Sequence, residues 1–118
     1  MKTYKIAAIP GDGIGTEVIS AGVEVLQALA KRAGSFQFKV DHFDWGGEYY
    51  KKHGRMMPVD GREQIKDHDA ILFGSAGHPD IPDHITLWGL RLNICQPFDQ
   101  YANVRPTRVL PGITSPLR

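Results

Sequence analysis

Two arginines stand out among the residues able to do chemistry. Arg91 and Arg105 are the strong cations of an otherwise largely apolar stretch, residues 85–105. Two guanidinium forks at that separation suit a small substrate that carries carboxylates. The stretch follows a glycine-bearing loop, GSAGHPDIPDHIT, which holds His78, Asp80, Asp83 and His84. Two histidines and two aspartates so close together invite a metal reading. Their spacing matches no recurrent ligand pattern, and a proline-rich solvated loop accounts for them as well. Cys95 lies four residues after Arg91, on the same face of any helix there. With no histidine at a motif spacing, it reads as a packing residue rather than a nucleophile.

A further glycine cluster, PGDGIGTE, follows the first apolar run. Strand, glycine turn and helix in that order invite a dinucleotide-binding reading. The G-x-G-x-x-G spacing, however, would need glycine where Thr16 stands, which favours a structural tight turn. As the sole cysteine, Cys95 excludes an internal disulfide and points to a reducing cytosol. Fourteen cations against thirteen anions, with no run of one sign, leave no footprint for nucleic acid or an anionic membrane. No apolar run approaches the length of a membrane span. The expectation is a soluble, cytoplasmic α/β domain that works on small molecules.

The elements that must position these groups follow from periodicity. Residues 4–9 read as a buried strand closed by Pro10 and Gly11. Val18, Ile19, Gly22, Val23, Val25, Leu26, Leu29 and Ala30 give a 3.6-period stripe that ends at Gly34, a helix. Residues 36–43 alternate Phe36, Phe38 and Val40 with polar residues, a strand with one buried face. Short helices are expected at 48–53 and 60–67, with Met56 and Met57 filling gaps between them. A strand is expected at 70–73, and a helix at 86–96 that Pro97 ends. Residues 101–110 are β-prone, with Pro106 marking an edge or bulge that would present Arg105. The β-α-β-α-β order predicts a parallel, helix-covered sheet whose ligands gather at the carboxyl ends of its strands.

IPGDGIGTEV, FGSAGHPD, DHITLWGLRL and FDQYANVRP together resemble the amino-terminal third of the decarboxylating β-hydroxyacid dehydrogenases, the family of isocitrate, isopropylmalate, D-malate and tartrate dehydrogenases. DWGGEYYKKHGRMMP adds a likeness to the tartrate and D-malate branch. The resemblance implies an isopropylmalate-dehydrogenase-like α/β sheet with flanking helices. Residues 1–118 would be an incomplete amino-terminal portion of its first domain. It also implies NAD-dependent oxidation of a small hydroxy diacid, with possible loss of CO2, by a homodimer that uses Mn2+ or Mg2+.

By the same resemblance Gly74, Ser75, Ala76, Gly77, Thr86 and Leu87 line the nicotinamide side of the cofactor site, and Ile14, at the end of the 9–14 segment that packs near it, belongs to the same cofactor set. Arg105 matches the second of three substrate arginines, and Asn103 shares its motif. Two departures stand out. Cys95 occupies the usual place of the first arginine, so Arg91, one turn earlier, is expected to take over an anion contact. Thr16 stands where relatives commonly start the helix with proline, and it can cap that turn instead. The family's catalytic tyrosine and lysine, its third arginine and its metal-binding aspartates come later in the chain. This segment alone is therefore expected to be inactive and marginally folded. The rival readings are a non-catalytic remnant or assembly module, and a stand-alone nucleotide-binding domain that uses PGDGIG for phosphate.

Overall fold

The computed structural model describes residues 1–117. Its framework is three parallel strands and the helices that cross between them. β1 (Lys2–Gly11) lies in the centre, with β2 (Phe36–His42) on one side and β3 (Ala70–Ser75) on the other. β1 buries Ile6, Ala7, Ala8 and Ile9 in succession. A run apolar on both faces is what a parallel strand covered on both sides requires. β1 extends beyond the expected 4–9 because each end finds a ladder: Lys2 pairs with Phe36, and Gly11 pairs with Ser75.

β2 keeps its alternation. Phe36 and Phe38 stand on the same side as Tyr4, and the three rings form an edge-on and tilted aromatic cluster. α1 (Gly15–Ala33) returns the chain from β1 to β2. It ends where Gly34 turns left-handed at φ 67°, its N–H donating to the Ala30 carbonyl. Glycine takes that conformation without the clash a β-carbon would bring.

The return from β2 to β3 is less regular. Along it Trp45 is buried just before α2 (Gly47–His53), and Met56 and Met57 are buried between α2 and α3 (Gly61–Ile65). Gly61 fits where a β-carbon would stand 2.8 Å from Met57 Cε and 3.3 Å from the Trp45 ring, so the methionines fill gaps as expected. Together with Ala7, Ile9, Ile65, Leu90 and Ile94 they form the main core.

The expected helix at 86–96 starts earlier and is not uniform. α4 (Asp83–Thr86) passes into a π-helical segment, Leu87–Arg91, and then into α5 (Leu92–Cys95). The Leu92 N–H reaches back five residues to the Leu87 carbonyl. The expected β-prone segment at 101–110 is not a strand. Its residues are exposed and belong to no ladder among the described residues. A strand is defined by its partner, and Pro106 further removes one donor, so propensity alone does not make one.

Candidate cofactor and substrate site

From β1 the chain crosses through α1 to β2 on one side. From β2 it crosses through α2 and α3 to β3 on the other. The direction of winding therefore reverses between β1 and β3, and at such a switch point an open parallel sheet leaves a crevice outside its carboxyl ends. Both strands end level, at the Gly11 and Ser75 pair. The loops that follow, residues 12–14 and 76–82, emerge side by side.

Their approach depends on missing side chains. A β-carbon at Gly74 would stand 2.2 Å from the Pro10 carbonyl oxygen and 2.9 Å from Gly15 Cα. At Gly15 it would stand 2.0 Å from the same oxygen and 2.9 Å from the Ser75 nitrogen. Backbone meets backbone here, and neither can yield.

Asp12 joins these loops. It is 4% exposed. Its main-chain N–H donates to the Ser75 carbonyl at 2.8 Å, and the Ser75 hydroxyl donates to the Asp12 carbonyl. Its carboxylate accepts from the Gly47 N–H at 2.6 Å through one oxygen and from the Gly77 N–H at 3.0 Å through the other. Three segments distant in sequence thus meet on one carboxylate. Nothing in sequence reasoning singled out Asp12. The signal available was an acidic residue between two glycines, with no local donor to satisfy it.

The loop after β3 is also held through His78. Its Nδ1 accepts from the Asp80 N–H at 3.1 Å, which leaves Nε2 to carry the proton and donate to Glu48 at 3.0 Å. Lys51 bridges Glu48 and Asp80 at 3.5 and 3.1 Å. The His78 hydrogen bond, followed by the Lys51 charge, holds the Glu48 carboxyl below its ordinary range. Asp80, as hydrogen-bond partner, raises the Lys51 ammonium.

The loop's acidic and imidazole groups are therefore not gathered around a common centre. His78 and Asp80 turn to α2, whereas His84 lines a separate open hollow of about 360 Å³ with Tyr50, Arg55, Trp88 and Asn93. Among the described residues no three His, Cys, Asp or Glu side chains come together as a metal cage, so these residues do not fit Mn2+ or Mg2+ as a set.

The expected cofactor residues fall mostly at the switch point. Ile14 is exposed at the tip of the first loop, Gly74 and Ser75 end β3, and Ala76 and Gly77 start the second loop. Thr86 is placed differently: it is fully buried, with its hydroxyl donating to the Asp83 carbonyl at 3.2 Å. Leu87 next to it is partly exposed and opens the π-helical segment.

Arg91 and Cys95 share a face, as their spacing requires. With Ile71, Phe73, Ile94 and Gln100 they line a hollow of about 180 Å³ against β3. Arg105 and Asn103 lie together in the exposed segment beyond, where the arginine Nε donates to the Asn103 side-chain oxygen at 3.4 Å. The structure therefore brings together Asn103 with Arg105, and Arg91 with Cys95, as two separate pairs.

A parallel sheet with crossover helices and its loops gathered at the β1/β3 switch point is the architecture of an open α/β protein. The sequence profile of the isocitrate/isopropylmalate dehydrogenase family matches residues 5–118, and the chain belongs to that family. Over its full 118 residues it is 70% identical to a probable tartrate dehydrogenase/decarboxylase of Agrobacterium vitis, covering 33% of that protein. It is 54% identical to the decarboxylating D-malate dehydrogenase of Escherichia coli K12, with 99% of the chain and 33% of the relative covered. The crystal structure of an apo β-decarboxylating dehydrogenase from Thermococcus kodakarensis superposes with a TM-score of 0.62 at 32% identity, covering 83% of this chain and 27% of that one. The fold is thus that of the decarboxylating dehydrogenases. The chain spans about a third of the length of the curated relatives it matches.

Proposed function

We propose that this segment serves the NAD-dependent oxidation, with possible decarboxylation, of a small 2-hydroxy diacid such as tartrate or D-malate, as the front third of a complete enzyme. The observation that carries this reading is the 70% and 54% identity to relatives bearing those two activities in their names, over essentially the whole chain. The geometry supports it at two places. The loops at the carboxyl ends of β1 and β3 emerge side by side, with open space beside Gly13 and Gly77, and residues 14, 74–77 and 87 would face the nicotinamide there. When bound, NAD accepts the hydride from the hydroxyl-bearing carbon.

The chain's own share is to bind and orient. Arg105, steadied by Asn103, would take one carboxylate. Arg91 would take a second anionic or hydroxyl contact from the turn preceding Cys95. The metal, Mn2+ or Mg2+, would be held by residues outside this set. Residues 1–118 would then be the incomplete opening of the first domain, silent in catalysis alone. The complete protein would work as a homodimer in the reducing cytosol.

A second reading, an assembly module without catalysis, draws on one observation: Ile14, Val18, Val25 and Leu29 are at least half exposed on α1 or at its start. The intact mass of the protein from its native source, with NADH formation on tartrate and D-malate in Mn2+, separates the two. Activity in a protein of about three times this length supports the dehydrogenase. A 118-residue protein without turnover supports the module and refutes the enzyme.

A further inference from the structure

We propose that Asp12 is a positioning residue that fixes the shape of the loop after β3 for the cofactor. The inference rests on the reading of residues 74–77 as the nicotinamide-side loop. Main-chain donors hold the Asp12 carboxylate. It is buried, no cation pairs with it among the described residues, and its two oxygens are each turned to a backbone N–H instead. A buried carboxylate is tolerated when hydrogen bonds replace its water, and two charge-assisted N–H donors supply that here.

What the donors belong to gives the contact its meaning. Gly47 opens α2, and Gly77 stands at φ 150° in the loop after β3, a backbone state other residues avoid. Asp12 itself belongs to the loop after β1. One side chain therefore sets the distance between the loops of both strands that flank the switch point, and ties them to α2.

The neighbouring glycines show how closely the arrangement is built. A β-carbon at Gly46 would stand 2.9 Å from Asp12 Oδ1, and one at Gly47 would stand 2.7 Å from the His78 ring. Gly46 and Gly47 thus lie against the carboxylate on one side while the His78 ring lies against Gly47 on the other. Gly77 is itself exposed, so without Asp12 water would be free to take its N–H and the loop would relax from the shape the strand ends impose.

Asp12→Asn tests this. The amide has one acceptor oxygen, so one of the two glycine N–H groups must face an NH2. Amide exchange and an NAD titration are followed in the complete protein that carries this segment. In the unaltered chain both Gly47 and Gly77 amides are expected to exchange slowly, although Gly77 is exposed. In the variant at least one exchanges roughly ten to a hundred times faster, the effect of losing a hydrogen bond to a charged group. The amides of Ala8 and Leu72 in the strands stay unchanged, and the NAD dissociation constant rises about tenfold or more.

Free exchange of Gly77 in the unaltered chain overturns the proposal, as does a variant with freed amides and unaltered NAD affinity. Loss of protection in the strands as well assigns Asp12 a purely structural role and also overturns it. A measurement without any variant adds to these: NAD should slow exchange at Gly47 and Gly77 together while leaving Gly54 unaffected, and slowing at Gly77 alone counts against the shared clamp. If the unaltered chain has both amides protected and no response to NAD, it is the cofactor reading that fails, and the loop's role falls with it.

Discussion

Gly74→Ala is the perturbation that bears most sharply on how the strand ends are built. The added methyl would sit 2.2 Å from the Pro10 carbonyl oxygen and 2.9 Å from Gly15 Cα, both main-chain atoms of β1 and α1. Relief requires β3 to move off β1, or α1 to lift off the sheet. Overpacking in a core costs about 1–3 kcal/mol, and contact with backbone rather than a side-chain tip places this site at the upper end, about 3 kcal/mol. For a domain of this size that lowers the melting temperature by roughly 10–20 °C.

Gly22→Ala is the matched control. It lies inside α1, and its new methyl would meet only Leu72 Cδ2 at 3.6 Å, an ordinary contact. Removing an interior helix glycine is expected to gain up to about 1 kcal/mol. Thermal melts followed by circular dichroism compare the two. The expected order is Gly22→Ala above the parent and Gly74→Ala far below it. Equal melting of Gly74→Ala and the parent would refute the claim that the two loops meet backbone to backbone.

Three further outcomes follow from the same structure. Leu90→Ala empties a fully buried position between the π-helical segment and the core, and should destabilise by about 2–5 kcal/mol in urea titrations. Glu48 is held below the ordinary carboxylate range by its His78 hydrogen bond first and Lys51 second. A depressed carboxyl contributes while ionised, so its anchoring of the loop is complete above the ordinary carboxylate range and is lost as pH falls through the lowered value. Glu48→Gln should therefore flatten the acid-side slope of Gly77 amide exchange, and an unchanged slope would count against the anchor. In the complete protein Arg91→Leu is expected to lower kcat/KM on tartrate roughly ten- to a hundredfold relative to isopropylmalate, and unchanged preference would remove Arg91 from the substrate clamp.

What sequence could show was what local periodicity encodes. The α1 helix, the alternation of Phe36, Phe38 and Val40, and the glycine stop at Gly34 all report on neighbours within a few residues, and all appear in the fold, although Val18, Val25 and Leu29 of the α1 stripe stay exposed. The parallel sheet followed from the alternation of elements, whereas its order β2-β1-β3 is set by which strands pair in the folded chain. Asp12 was hidden because its partners lie 35 and 65 residues away, and no short pattern links an aspartate to two glycine amides.

His78 and Asp80 looked like members of a solvated loop or a metal group. The nearness of α2, which only tertiary packing creates, gives them Glu48 and Lys51 instead. The π-helical turn at Leu87 shifts the faces of Trp88 and Arg91 relative to an ideal helix, a change invisible to a 3.6-residue count. Residues 101–110 show the opposite limit, strand propensity without a ladder. Arg105 was singled out by its residue type and setting, whereas its pairing with Asn103 is a feature of the folded chain.

On the proposed function the carboxyl ends of β1 and β3 face the cofactor. The most direct measurement is a residue-by-residue map of amide shifts over this segment of the complete protein as NAD is added. The expected map concentrates on Ile14, Gly74, Ser75, Ala76, Gly77 and Leu87, with β2 silent. Shifts centred instead on the hollow around Tyr50, His84 and Trp88, or spread evenly over the chain, would contradict it.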